Sequence, residues 1–591
     1  MMKPGRQLIT AAAALACAAS ASAGQVREYN FTLSSAHMSK DGHPRSYLTI
    51  NGDTPGPVIE GDEGDTIRIH VENRLLTETA IHWHGIYQDG SFWNDGVPGV
   101  TQWPIEARGS YTYEFTFGGN QTGAYFYHGH FGPVFADGHR GAIWIRPSRD
   151  RPRPYSLISP DAHLVEAMQR AEDSPHHLMT SDWYLETLDA LILMFRDTGV
   201  TPNCAVSVLT NNRGRTTCLS PEELREHGGE GRDSMGCLSS FTSSPYVNSE
   251  PCRDTFTDYE VVEARDGDEY VFVNFIHTGV HHELRVSVDE HDMWVVAVDG
   301  DFVVPRKVNA FDLNMGERIS ILVPLTQTPG EYAIRMSSVS PEQVIQGHSI
   351  LRYAGVQENR VDGIMVLPKS RPSIDLVGNM LGDGSLRVLD PIKEITPFPA
   401  RPPPPTSDHT VRFVANRTEA STWVLASAPH QGFRQQMPPS LWNEGSRDET
   451  TTGGYRNGST VDIIIENGAP GMHPFHKHNH KVWFIGSGSG GFRWPDVATA
   501  LLEAPDSFNL VDPPLRDGFK LEGEPGSWIV LRYTISFPAM SMLHCHRIPH
   551  FAAGQQIVLL EGQEELGEVP EHVKHMTHAD FVPPVRYGPL D

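Results

Sequence analysis

The chain has 591 residues, of which 39% are hydrophobic and 20% charged, and a formal net charge of −26. That length asks for more than one domain, and that apolar content excludes a disordered chain. So acidic a protein is unsuited to nucleic acid or an anionic membrane surface as its main partner; it suits solubility and neutral or cationic small substrates.

Lys3 and Arg6 precede an apolar run from Leu8 that closes on Ala21-Ser22-Ala23. This is the order of a secretory signal over residues 1–23, with cleavage expected after Ala23 and an extracellular or cell-surface destination. The run is short and alanine-rich for a membrane span, and no other stretch is long enough for an anchor. Cys17 leaves with the signal. Cys204, Cys218, Cys237 and Cys252 then cluster, while Cys545 stands apart. In an oxidising compartment the four suggest two disulfides in any of three pairings, and the odd cysteine calls for another reason, such as a metal. Glycosylation sequons begin at Asn30, Asn120, Asn416 and Asn457.

From Gln25 the chain reads as short strands punctuated by Gly, Pro, Asn and Asp. Ile67, Ile69 and Val71 alternate with Arg68, His70 and Glu72, as in a half-buried strand that ends at Asn73. The same turn, strand and asparagine recur at Asp266–Asn274 and Asn457–Asn467. This loose repeat predicts an all-β protein of three copies of one β-sandwich. Prolines mark the boundaries: a first unit over 24–150, a second with the cysteine-rich excursion over 151–395, a stiff linker over 396–407 and a third unit over 408–591. Helices should be few; Pro221–His227 is one candidate, with Ser220 placed to cap it.

Four histidine-bearing stretches carry the chemistry: His82-Trp83-His84, His128-Gly129-His130, His473-Pro474-Phe475-His476-Lys477-His478, and His544-Cys545-His546 with His550. Two lie near the start and two near the end. His-x-His on a strand places both imidazoles on one face, about 7 Å apart, close enough for neighbouring metals. Cys545 points to the opposite face, so one strand can join a thiolate site to an imidazole cluster. Thiolate and imidazole together suit copper rather than magnesium or calcium. A single-electron site feeding a multinuclear cluster is one way to assemble the four electrons that O₂ needs to become water.

These stretches resemble the copper-binding signatures of the multicopper oxidases, the family of laccases, ascorbate oxidase and ferroxidases. The likeness extends over most of the mature chain, including Asn51–Ile59 and Asp95–Ile105. It implies an all-β monomer of three consecutive cupredoxin-like Greek-key β-sandwich domains with four copper ions. His473, Cys545 and His550 resemble the type 1 ligands, and His82 and His476 the type 2 ligands. His84, His128, His130, His478, His544 and His546 resemble the ligands of the type 3 pair. His544, Cys545 and His546 are thereby the expected electron path, and Asp95 matches an acid that supplies protons for O₂ reduction.

Departures from the pattern are informative. Gly129 replaces a common serine, Lys477 and Asn479 replace leucine and glycine, and Trp103 replaces a cysteine, which removes a family disulfide. Lys477 should point away from the cluster. Ile548 stands where an acid often assists proton delivery. Gln555, ten residues after Cys545, occupies the axial position; an amide oxygen there should stabilise Cu(II) and lower the type 1 potential. The acid that often precedes a laccase strand like Val208–Gly214 is missing from Cys204–Ser207.

A low-potential site suits electron-rich phenols such as naphthols and naphthopyrones, whose radicals then couple. With Arg547-Ile548-Pro549, the chain resembles fungal laccases of pigment and secondary-metabolite pathways, and such a radical-coupling enzyme can rely on a pathway partner for selective coupling. The alternatives are a ferroxidase and a non-catalytic copper-binding protein.

Overall fold

The computed structural model describes residues 24–118, 121–132, 134–238, 251–382, 384–426 and 432–574. The expected signal and the Asn120 sequon fall outside them. Three double-layered β-sandwiches follow one another. In the first, one sheet runs in the order Arg45–Ile50, Val26–Met38, Thr66–Asn73, Ser110–Thr116. The other runs Ile59–Asp62, Arg140–Arg146, Gly123–Gly129, Ile81–His84, and Ile67, Ile69 and Val71 meet Trp83, Tyr125 and Tyr127 between the layers. The second and third units each pair a six-stranded with a five-stranded sheet.

The loose sequence repeat has a structural counterpart. Thr66–Asn73, Tyr270–His277 and Thr460–Asn467 each lie parallel to the strand that opens their unit: Val26–Met38, His176–Trp183 and His409–Glu419. Asn73 and Asn467 end their strands in the same way. Each donates its amide to nearby carbonyls (Asn73 to Thr77, Ile105 and Glu106; Asn467 to Gly471 and Glu522) and accepts from a backbone N–H two residues on. Asn274 differs: its strand continues to His277, and its side chain accepts from Ser320 instead.

Two disulfides, Cys204–Cys237 and Cys218–Cys252, staple the excursion of the second unit. Helix Pro221–Gly228 forms with the expected cap, a reciprocal box between Ser220 and Glu223. Of the helices the sequence did not point to, the longest among the described residues are Ala162–Glu172 and Leu188–Thr198. The second buries Leu188, Leu191, Ile192 and Phe195 at helical spacing and packs on the short helix Ile548–Ala552 beside Cys545. Among the described residues no helix is long and apolar enough to cross a membrane.

Buried charge joins the units. Arg318 of the second sandwich grips Asp517 of the third with both terminal nitrogens, at 2.5 and 2.6 Å. Arg516 reaches back to Asp299 and Glu317, each at 2.9 Å. Asp301 takes Lys481 of the third unit and Arg401 of the linker, each at 2.8 Å, and Lys481 also donates to Tyr125 of the first unit. Buried charges are tolerable only when paired, and here most partners come from another unit. Arg318→Met should therefore leave Asp517 uncompensated and cost about 3–5 kcal/mol, read by calorimetry as a lowered thermal midpoint; an unchanged midpoint would show that docking does not rely on the pair.

Candidate metal centres

Strand Ala539–Cys545 lies between His473–Lys477 and Gln556–Glu561. The register sets His544 opposite His476 and Cys545 opposite Phe475. Cys545 thus faces away from His544 and meets His473 and His550. Its Sγ is 3.9 Å from His473 Nδ1 and 3.8 Å from His550 Nδ1, and the two nitrogens are 3.2 Å apart. A trigonal ion with bonds of about 2.3 Å to sulfur and about 2.0 Å to nitrogen would hold these atoms roughly 3.7 and 3.5 Å apart. The triad has the shape of such a site. Burial pushes the Cys545 thiol up to about 12, so a metal is what would hold it as thiolate at neutral pH. Burial, with Arg547 nearby, lowers His473 to about 3, leaving a neutral imidazole with a lone pair to give.

Gln555 is fully buried and neither amide atom has a hydrogen-bond partner of normal geometry among the described residues. Its backbone ties it between two members of the triad: its N–H donates to the His550 carbonyl at 3.1 Å, and its carbonyl accepts from Cys545 at 3.0 Å. The amide lies beside the His473 ring. An orphaned buried amide is destabilising, and its oxygen is a donor that a metal in the triad would satisfy.

The other eight histidines form a cage between the first and third units. Antiparallel pairing sets His82 opposite His128. Within the four His-x-His pairs, the ring centroids lie 6.0 Å (His82, His84), 5.6 Å (His128, His130), 4.9 Å (His476, His478) and 5.6 Å (His544, His546) apart. Donor atoms of His130, His478 and His544 fall within 4.8 Å of one another, as do those of His82, His476 and His478, and those of His82, His84 and His128. The cage is shared enough that His82 and His478 each belong to more than one group.

Five rings are oriented by their Nδ1. His82 bonds the Asp95 carbonyl at 2.7 Å, His128 that of Gly129, His476 that of Asp517, and His544 that of Cys545, while His478 bonds the Asp95 carboxylate at 2.8 Å. The Nε2 atoms of His82, His128 and His476 remain buried and unpartnered, and those of His478 and His544 face each other at 3.2 Å. Outer partners that fix the tautomer in this way are what metal-bound histidines require. Asp95 is fully buried and holds two rings at once, far more than a turn aspartate does.

The departures acquire physical reasons. A side chain on Gly129 would strike Val134, 2.3 Å from the added carbon, so valine fills the space that a serine would use. Asn479 has φ of 63°, a left-handed conformation in which asparagine is a natural substitute for glycine. Lys477 leaves the cage face and pairs with Glu561 at 2.9 Å, over the Tyr533 ring. Burial would raise Glu561, but Lys477 and His480 hold it well below the usual range. Ile548 lines a small, partly open apolar cleft with His128, His130, His544, His546, Phe135 and Phe551.

Asp517 and Trp423 were missed by the sequence reading. Asp517 lies 3.5 Å from His84 Nε2 and 3.6 Å from His476 Nδ1, yet it sits in no histidine motif, and its partner Arg318 is in another domain. Trp423 stacks on His550 from a strand that carries no signal of metal chemistry.

A buried His₂Cys triad, joined through one cysteine to an eight-imidazole cage across three cupredoxin-like sandwiches, defines a copper oxidase that takes electrons singly and spends them together. The chain belongs to the multicopper oxidase family: three multicopper oxidase domain families match it, over residues 32–150, 176–356 and 404–565. It is 52% identical over 590 residues to a laccase of Pestalotiopsis fici, covering 98% of this chain and 99% of that protein. It is 30% identical to laccase abr2 of Aspergillus fumigatus, covering 97% and 99%. Among solved structures, the laccase of Botrytis aclada superposes with a TM-score of 0.71 at 23% identity, over 93% and 90% of the two chains. As a member of this family it is an oxidoreductase with four copper ions, of types 1, 2 and 3.

If Gln555 is the axial donor, Gln555→Leu should raise the type 1 potential in a redox titration while leaving the copper content unchanged. An unaltered potential would exclude axial ligation.

Proposed function

We propose that the chain is a secreted laccase that oxidises electron-rich phenols, of the naphthol or naphthopyrone type, one electron at a time in a pigment or secondary-metabolite pathway. It acts as a monomer, releases radicals that couple, and reduces O₂ to water. The observation that carries this reading is the continuity of His544-Cys545-His546, in which the cysteine belongs to the triad and both neighbours to the cage. When bound, copper supplies the one-electron couple at the triad and the four-electron reduction of O₂ at the cage.

The assignment of ligands follows the family pattern: His473, Cys545, His550 and Gln555 for type 1, His82 and His476 for type 2, and His84, His128, His130, His478, His544 and His546 for type 3. The protein's own residues do the rest. Asp95 holds His82 and His478 and is the group placed to pass a proton to the cage. The small apolar cleft walled by Phe135, Ile548 and Phe551 opens beside the cage histidines and suits the approach of O₂.

The same fold occurs in Fet3p, a multicopper oxidase that functions in iron import, with a TM-score of 0.67 at 19% identity over 91% and 90% of the chains. Against a ferroxidase stand Arg547 and Arg417, whose charges bear on His550 and would repel Fe²⁺. Oxygen uptake with a naphthol or catechol should therefore far exceed uptake with Fe²⁺; the reverse order would favour the ferroxidase. Asp95→Asn keeps an oxygen for His478 but removes the acid. It should slow reoxidation of the fully reduced enzyme by roughly 10²-fold at unchanged copper content, and an unchanged rate would reduce Asp95 to a positioning residue.

A further inference from the structure

The triad histidine nearest the surface is covered. His550 is only 2% exposed, and Trp423 lies flat on it, ring centroids 4.1 Å apart and planes inclined by 24°. The same indole meets His473 edge-on at 5.1 Å. Trp423 is itself 3% exposed and packs with Phe195, Ala469 and Ala553. Its indole N–H is buried without a hydrogen-bond partner among the described residues, a placement that costs free energy.

Outside the indole lies Arg417, an exposed residue whose guanidinium is 5.8 Å from the ring centroid. Arg417 is fixed by bonds to the carbonyls of Gly199 and Ala420. Gly199 is the left-handed cap, φ of 69°, of the helix Leu188–Thr198 that leans on Ile548–Ala552. Trp423 thus has His550 stacked on it and the exposed Arg417 within cation–π distance, with the helix Leu188–Thr198 alongside through Phe195 and Gly199.

We propose that Trp423 is the electron bridge into the type 1 site. This rests on reading His473, Cys545 and His550 as that site. A planar phenolic donor docks at the Arg417 surface, where its ring can stack on the guanidinium. One electron would leave the donor and cross the indole to His550, which with His473 and Cys545 would hold the copper that accepts it. The donor's O–H proton goes to solvent, and the donor is left as a neutral radical. The indole carries no net charge before or after. The Arg417 cation beside it opposes formation of an indole radical cation, so the ring conducts without being oxidised. Donors then need not touch the imidazole.

The test uses the full-length, copper-loaded chain with Trp423→Phe and Trp423→Leu. The type 1 EPR signal and potential are measured first and should not change. Anaerobic stopped-flow bleaching of the type 1 absorption by saturating hydroquinone then reports electron entry. Phenylalanine should stay within about threefold of the parent, and leucine should slow reduction at least about tenfold. Reduction of the leucine variant at the parental rate or faster, at unchanged potential, would make Trp423 a lid and overturn the bridge. Should leucine prevent copper loading, Trp423→Met decides by the same criteria. The underlying reading fails separately, if Cys545→Ser keeps the type 1 absorption.

Discussion

Half of the imidazole cage belongs to the first sandwich and half to the third, so the cage exists only when the units dock. The bidentate Arg318–Asp517 pair fixes that docking with orientation as well as attraction, because a planar guanidinium fits a carboxylate in one plane only. The same aspartate offers its backbone carbonyl to His476. A residue that joins two domains therefore also turns one ring of the cage. The second sandwich gives no histidine to the cage, yet its Arg318 binds both Asp517 of the third unit and the Ala124 carbonyl of the first, and so ties together the two that do. Stability and site geometry share one network.

Strand periodicity made much of this legible from the residues alone. A repeat of two fixes which neighbours of Cys545 share a face, and the observed register keeps His544 and His546 apart from the triad. The alternation at Ile67, Ile69 and Val71 was equally plain, since each is buried while His70 is exposed. What periodicity could not reveal was any relation across domains. Asp517 has no motif, and its significance lies in Arg318, 199 residues away. Helix Leu188–Thr198 has a good apolar stripe, but it is a single helix among strands and turns, and its packing partner is a five-residue helix in another unit. The disulfide pairing needed distances that spacing does not contain.

The departures at Lys477 and Asn479 illustrate how a site tolerates change. A lysine between two cage ligands would be ruinous if it faced them. It faces instead a fully buried carboxylate, Glu561, which also accepts from His480 and Ser541. Removing one member would leave the others as unpaired buried groups, so lysine, glutamate and histidine depend on one another. Asn479 likewise keeps the left-handed backbone and adds contacts that glycine lacks, to Gln88 of the first unit and to Ser541. Both substitutions exchange local simplicity for polar ties between strands.

The electrostatics around the triad point in two directions at once. An amide oxygen from Gln555 would favour the oxidised ion, whereas the buried guanidinium of Arg547, whose charge bears on both His473 and His550, favours the reduced one. Arg547 donates to the His281 carbonyl, and Glu342 in turn lies 3.6 Å from His281. Burial would raise Glu342, but His281 and Arg547 hold it well below the usual carboxylate range. Part of the arginine's charge is thus balanced by domain 2. The potential of the type 1 ion is then a property of the docked molecule rather than of HCHRIPHFAAGQ alone, because the counter-charge arrives from another sandwich.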